Sequence, residues 1–355
     1  MKIIQEPTYN IYFGNNSYKV LNSFIRSNNF SKVVIIVDNN TNEFCLPKLI
    51  HEFDFNTPYD VIQFTSGEIN KNLKTCYEIW KALTKLEVDR NSLIINLGGG
   101  VVTDIGGFVS STYKRGIKFI NIPTTLLSMV DASIGGKTGI DLDDVKNQIG
   151  TIKFPNMVLI DIRYLNTLPN RDFNSGIAEM LKHGLISSKS YWNELKSADI
   201  KLRDKLINLI HKSIEIKNSI VINDPDEKNI RKSLNFGHTL GHAIESLSLK
   251  DNNLINLLHG EAIAIGIVLE SYLSKEYNGL SQLALDDIKS TIKSKFGIVK
   301  FNGSQINSII ELLIHDKKNS HKDINFTLIK SIGNYSINKK VDEKSIRMAF
   351  CYYAE

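Results

Sequence analysis

Over its first 160 residues the chain alternates short β-branched runs with amphipathic stretches, a rhythm that leaves few folds open. The runs span residues 32–37, 59–64, 92–97 and 117–122, and between two of them Leu73, Tyr77, Trp80, Leu83 and Thr84 recur at helical spacing. Strand, helix, strand in this order predicts a parallel α/β sheet. After Met157-Val158-Leu159-Ile160 the pattern lengthens to helical periods over 174–187, 203–221, 233–247 and 261–277. One late exception, residues 326–329 and 335–337 around a Gly333-Asn334 turn, predicts a small hairpin before a closing helix. The expected division is an α/β domain over 1–163 and a mainly α-helical domain over 164–355.

Composition narrows the function classes. No apolar run reaches the roughly 18 residues of a membrane span, and the start has no apolar stretch of the secretory kind. Forty-three Lys and Arg against 38 Asp and Glu leave +5. That mild excess, without long basic runs, favours anionic small molecules over nucleic acid. Cys45, Cys76 and Cys351 form no close-spaced motif, so free thiols in a reducing cytoplasm are expected.

Two residue types are unevenly placed. Ten of the 22 glycines fall between Gly98 and Gly150. Leu97-Gly98-Gly99-Gly100-Val101-Val102-Thr103-Asp104 follows a buried-looking strand and enters a helix, so backbone amides at a helix N-terminus could receive a diphosphate. The competing reading is a tight strand-to-helix turn, since the glycines do not follow the usual G-x-G-x-x-G spacing. Asp38 closes the first clear strand, where an acceptor for ribose hydroxyls would stand and where an N-cap is also common. The stretch from Pro123 to Thr138 packs hydroxyls, Asp131, a Gly pair and Lys137 into 16 residues, with Lys146-Asn147 just beyond. A plain solvated loop has little use for that density of polar groups.

Five of the eight histidines fall between His183 and His259. His238 and His242 stand four apart, His259-Gly260-Glu261 opens the next helix, and Glu179 lies in a separate one. One carboxylate with two imidazoles is a catalytic zinc set, and not every histidine need be a ligand. His183 reads most simply as a surface or packing residue. Arg231, Asn235, His238 and His242, at spacings of four, three and four, are expected on one helical face too polar for core unless it lines a cavity. With Lys182 and Lys217 on neighbouring helices, such a cavity suits an anionic, hydroxylated substrate.

Together these residues resemble the 3-dehydroquinate synthase family. The resemblance rests on Gly98 to Asp104, Tyr113-Lys114-Arg115-Gly116, Pro123 to Leu127, Asp131 to Thr138, Lys146-Asn147, Leu168-Pro169, Ala178-Glu179, Leu234 to His238 with Gly241 to Glu245, His259-Gly260-Glu261 and Asp316-Lys317-Lys318, in the family's order. Thr103 departs from the family's more usual Gly. The resemblance implies an N-terminal NAD-binding α/β domain, a helical metal-binding C-terminal domain, and a homodimer. It also implies the shikimate-pathway conversion of 3-deoxy-arabino-heptulosonate 7-phosphate to 3-dehydroquinate and phosphate, in which NAD oxidises the C5 hydroxyl, phosphate leaves, the hydride returns and the ring closes by an aldol step.

Position by position, the resemblance assigns a divalent metal, zinc or cobalt, to Glu179, His238 and His259. Lys137, Lys146, Asn147, His242, Arg115 and Asp131 take catalytic positions, and Lys182, Lys217, Arg231, Asn235 and one of Lys317 or Lys318 bind substrate. NAD falls to Asp38, Asn40, Glu68, Lys71, Gly99, Gly100, Val101, Asp104, Thr124, Thr125, Thr167 and Leu168. The rival readings are another sugar phosphate cyclase, such as a 2-deoxy-scyllo-inosose or valiolone-type synthase, a metal-dependent polyol dehydrogenase, and a catalytically silent NAD- or metal-binding regulator. Lys217, Arg231 and Asn235 favour a carboxylated substrate.

Overall fold

The computed structural model describes residues 2–5, 8–54, 58–143, 145–198, 203–315 and 324–355. Lys317 and Lys318 lie outside the described residues. The chain divides into two compact units, Met1–Pro169 and Asn170–Glu355, a little after the expected 163/164 boundary.

The described residues of the first unit hold nine strands: β1 (Ile3–Gln5), β2 (Asn10–Phe13), β3 (Val33–Asp38), β4 (Tyr59–Phe64), β5 (Leu93–Gly98), β6 (Lys118–Pro123), β7 (Lys137–Leu142), β8 (Val145–Ile152) and β9 (Met157–Ile160). Seven form one sheet in the order β1-β2-β9-β6-β5-β3-β4, parallel except where β1 pairs with β2. Every residue of β5 and β9 is buried, as expected for strands covered on both faces. Val34, Ile36, Leu83, Ile94, Val102, Ile105, Val109 and Phe119 build the core on one side.

The chain leaves β3 toward the β4 edge and leaves β5 in the opposite direction, toward β6. That reversal makes the carboxyl ends of β3 and β5, at Asp38 and Gly98, the crevice where open α/β sheets take ligands. The β7–β8 hairpin is antiparallel and covers a stretch to which the sequence pattern assigned no strand. Its strands keep one buried run, Thr138–Ile140, and are otherwise too charged or glycine-rich to show a two-residue alternation.

The second unit is mainly helical. Four helices carry its chemistry: Asn170–Ser187 with Glu179, Arg203–Asn223 with Lys217, His238–Ser248, and His259–Asn278. The last is buried for most of its length and packs against the His238 helix, the Glu179 helix, strand β10 (Asn325–Ser331) and the closing helix Glu343–Ala354. The expected hairpin is present, β10 with β11 (Asn334–Lys340). Among the described residues no helix is long and apolar enough to cross a membrane.

One expectation fails here. Arg231, Asn235, His238 and His242 do not share a helical face. Arg231 and Asn235 lie in a separate 3-10 turn, Ile230–Asn235, and Gly237 breaks the chain at φ +81° before His238 opens a new helix. The broken segment packs closely on the His259 helix: a Cβ on Gly266 would lie 2.0 Å from the Gly237 carbonyl oxygen. Main chain therefore packs on main chain, and the regular spacing of the four polar residues is coincidental with respect to helix phase.

Candidate active site

Glu179 sits in the middle of the helix with the longest buried run of the second unit and is itself wholly buried. Burying a carboxylate is costly without partners. Its partners are three: Lys182 Nζ at 2.5 Å from Oε2, and the Nε2 atoms of His238 and His259 at 3.3 Å and 3.7 Å from Oε1. Neither carboxylate oxygen has a well-aligned hydrogen bond. The His242 ring joins them, with centroids 5.1 Å from His238 and 5.7 Å from His259. The three histidines each bring a ring nitrogen within 4.8 Å of the others'. A buried carboxylate facing two imidazole nitrogens, with a third imidazole alongside, is a donor set that fits a divalent cation.

The ring orientations fit it too. His238 Nδ1 donates to the Phe236 carbonyl at 3.2 Å, and His259 Nδ1 donates to Glu245 Oε2 at 3.1 Å, so both rings turn Nε2 toward Glu179. Burial works to raise the Glu179 carboxyl, yet Lys182 and His238 outweigh it and hold it well below the usual carboxylate range. Burial also lowers His238, more than Glu179 raises it. His259 differs because it faces two carboxylates: burial opposes its charge, but Glu245 and Glu179 push it up to about 10.

The anion-binding candidates collect nearby in the same unit. Lys217 and Arg231 are buried, 7% and 3% exposed, and the Lys217 helix packs against both the Ile230–Asn235 turn and the Glu179 helix. Asp224 shapes the turn: Oδ2 accepts the amides of Asn229 at 2.7 Å and Arg231 at 3.0 Å, and Oδ1 accepts that of Lys228 at 3.0 Å. The Arg231 guanidinium donates to the Pro225 carbonyl at 2.8 Å, and the Asn235 amide donates to Glu227 Oε1 at 2.9 Å. Lys182, expected on substrate, lies against Glu179. His183 is a buried packing residue whose Nδ1 meets Ser213 Oγ at 2.7 Å.

In the first unit the glycine triplet ends β5 and starts the helix Gly100–Thr112, whose N-cap, Gly99, has no capping side chain. Thr103 returns its hydroxyl to the Gly100 carbonyl at 3.1 Å. Asp38 is an N-cap: Oδ1 accepts the amide of Thr41 at 2.7 Å, leaving Oδ2 for another donor. Next to it, Asn40 is exposed. Lys71 is the centre of a polar cluster. Its Nζ lies 2.6 Å from Asp104 Oδ2, donates to Asn147 Oδ1 at 2.6 Å and stands 3.9 Å from Glu68, which also faces Lys146 at 3.6 Å. Burial opposes the Lys71 charge, but Asp104 and Glu68 overcome it and raise its pKa. An uncapped helix N-terminus without a Cβ, beside this cluster at the sheet's switch point, fits a dinucleotide.

The remaining expected residues are scattered through the same unit. Thr124 donates its amide to the Gly98 carbonyl at 3.0 Å, and Thr125 Oγ1 accepts from the amide of Ser128 at 3.1 Å. Asp131 lies half-buried in the Ser128–Ala132 turn, Lys137 opens β7 exposed, and Arg115 is exposed at φ +68°. Thr167 ends the turn Ile162–Thr167 and Leu168 is its C-cap.

A family model described as 3-dehydroquinate synthase N-terminal matches residues 61–175, and one described as 3-dehydroquinate synthase C-terminal matches residues 176–319. The 3-dehydroquinate synthase of Parabacteroides distasonis is 42% identical over 337 residues, 94% of this chain and 95% of that protein. The chain belongs to the 3-dehydroquinate synthase family. Its fold is that of two solved sugar phosphate cyclases. A 2-deoxy-scyllo-inosose synthase, solved with carbaglucose-6-phosphate, NAD+ and Co2+, has TM-score 0.87 at 24% identity and covers 98% of this chain and 99% of its own. The 2-epi-5-epi-valiolone synthase of Streptomyces hygroscopicus, solved with NAD+ and Zn2+, has TM-score 0.85 at 23% identity over 100% of this chain and 99% of its own.

Four residues of this family member escaped sequence reasoning: Asp224, Glu227, Glu245 and Glu270. Asp224, Glu227 and Glu245 each touch a named site residue, Arg231, Asn235 and His259 in turn, and Glu270 accepts the Gly237 and Leu240 amides on either side of His238. Only Glu245 left a trace, as the last residue of the Gly241 to Glu245 block that carries the resemblance.

Proposed function

We propose that this chain carries out its family's reaction, converting 3-deoxy-arabino-heptulosonate 7-phosphate to 3-dehydroquinate and phosphate. The observation that carries the reading is full-length kinship joined to the convergence of Glu179, His238 and His259 on one point. Those three would hold a divalent ion, zinc or cobalt. When bound, NAD would supply a reversible hydride acceptor for the C5 alcohol, and the ion would supply the positive charge that lowers the pKa of that alcohol.

The chain's own residues supply binding and proton handling. The open amides at Gly99, Gly100 and Val101 would receive the NAD diphosphate. Asp38 Oδ2 would accept a ribose hydroxyl, and Lys71, Glu68 and Asp104 would face the rest of the cofactor with Asn40, Thr124, Thr125, Thr167 and Leu168. His242, packed against both ligand rings, would move the proton of the reacting hydroxyl. Lys137, Lys146, Asn147, Arg115 and Asp131 complete the catalytic set. Lys217, Arg231 and Asn235 would hold the carboxylate or phosphate, which favours this substrate over a carboxylate-free sugar phosphate. Lys182 would neutralise the metal-binding carboxylate and adjoin the same anion. The working form would be a cytoplasmic homodimer.

The test is phosphate release from the heptulosonate phosphate, with NAD, with and without a chelator. Release without net NADH, abolished by the chelator, is expected. Steady NADH formation in proportion to product would make it a dehydrogenase, and preference for a carboxylate-free sugar phosphate would make it another cyclase.

A further inference from the structure

We infer that Glu245 is a positioning residue of the metal centre, fixing which nitrogen of His259 meets the ion. The inference rests on the proposed ligand set of Glu179, His238 and His259. Glu245 lies on the His238 helix with a buried side chain, and its Oε2 is 3.1 Å from His259 Nδ1. The acceptor is a carboxylate, so Nδ1 must carry the proton of that bond. Nε2, at the far edge of the ring, is then the nitrogen left to meet an ion, and it faces Glu179 Oε1 3.7 Å away.

Two simpler roles fit less well. Packing alone asks only for volume, which a leucine would supply without the cost of burying a carboxylate. A ligand role is blocked by position, because Glu245 occupies the Nδ1 side of the ring while the other donors meet its Nε2 side. His238 makes the contrast plain. Its Nδ1 is held by a main-chain carbonyl, Phe236, which no substitution removes. His259 depends on a side chain, and a carboxylate partner also raises imidazole basicity more than a carbonyl does. Glu245 stands seven residues after His238 in the sequence, so the same helix that carries one ligand orients the other.

The experiment loads metal-free wild type, Glu245→Gln and Glu245→Ala with Co2+, measuring affinity by chelator competition and geometry by the visible Co2+ spectrum. Thermal unfolding of the metal-free proteins runs in parallel. Glu245→Ala should bind Co2+ about 10- to 100-fold more weakly, with an altered spectrum. Glu245→Gln keeps an acceptor oxygen but also offers a donor that can hold the other tautomer, so its loss should be intermediate. Should the alanine variant not fold, the nearly isosteric glutamine variant decides. Wild-type affinity and spectrum in the folded variants, even with lowered thermal stability, would overturn the inference alone and make Glu245 merely structural. A wild-type chain that binds no Co2+ would overturn the ligand set and the inference with it.

Discussion

Glu270 accepts the main-chain amide of Gly237 at 2.7 Å, and so replaces the capping side chain that the His238 helix lacks. Its other oxygen takes the amide of Leu240 at 3.0 Å, and the residue is fully buried. Glu270→Gln puts a donor where two amides need acceptors. It should destabilise the metal-free chain by about 1–3 kcal/mol, read from chemical denaturation. An unchanged midpoint would remove Glu270 from the support of His238.

Replacing His238 or His259 with Ala should abolish both bound metal and turnover, since three protein ligands leave no spare. His183 is the control. It follows Glu179 by one helical turn but points its Nδ1 at Ser213. His183→Ala should lose stability and keep stoichiometric metal by elemental analysis. Full metal content in His238→Ala would refute the assignment.

Metal uptake should depend on pH through His259. In the metal-free chain its pKa, pushed up from 6.5 to about 10, stabilises the fold fully below about pH 6.5, and that contribution is lost as pH rises through about 10. Binding at Nε2 must expel a proton over this window, so affinity should rise with pH and proton release should accompany loading. Calorimetry in buffers of different ionisation enthalpy measures that proton.

Arg231 is the sharpest probe of substrate charge. A charge-assisted contact in a partly desolvated pocket is worth about 2–5 kcal/mol, so Arg231→Ala should lower kcat/KM at least about thirtyfold with metal content unchanged. Arg231→Lys should rescue only in part, because an ammonium lacks the planar fork. Asp224→Ala, which frees the turn that holds Arg231, should act in the same direction. A near-wild-type Arg231→Ala would reject the carboxylated substrate and leave the metal site standing.

The buried Lys71 and the half-buried Asp104 form an ion pair at 2.6 Å. Lys71→Met strands the carboxylate and should cost about 3–5 kcal/mol of stability as well as NAD affinity. Adding Asp104→Asn should restore much of the stability and none of the NAD binding, since the two losses have separate causes. Denaturation and NAD titration on the three variants check this.

Much of this was legible in the chain itself. The runs that became β3, β5 and β6 differ from the structure by a residue at most at each end, because buried parallel strands are written as nearly unbroken apolar runs, and the β4 run matches end for end although that strand lies at the sheet edge. The Glu179, His238 and His259 assignments, read through resemblance, name residues the fold does bring together. What stayed hidden depends on contacts between distant segments. The break at Gly237 packs against Gly266, 29 positions later, and reads locally as one glycine in a helical period. Glu245 and Glu270 gain their roles from neighbours 14 and 33 positions away, and in isolation look like ordinary helix residues. β1 and β2 are too short, and β7 and β8 too polar, to announce themselves by periodicity.

Gly260 follows His259 immediately, and a Cβ there would lie 2.3 Å from the Cα of Ser175, one turn before Glu179. Ser175 Oγ also accepts the Gly260 amide at 2.7 Å, so the two backbones are at closest approach. The helices bearing Glu179 and His259 can neither draw nearer nor part without breaking this seam. An ion of the wrong radius must then be met by side-chain rotation alone, against rings already tethered at Nδ1. For an ion held by Glu179, His238 and His259 the seam would work as a fixed-jaw gauge, leaving selection among divalent cations to size and preferred geometry more than to intrinsic affinity.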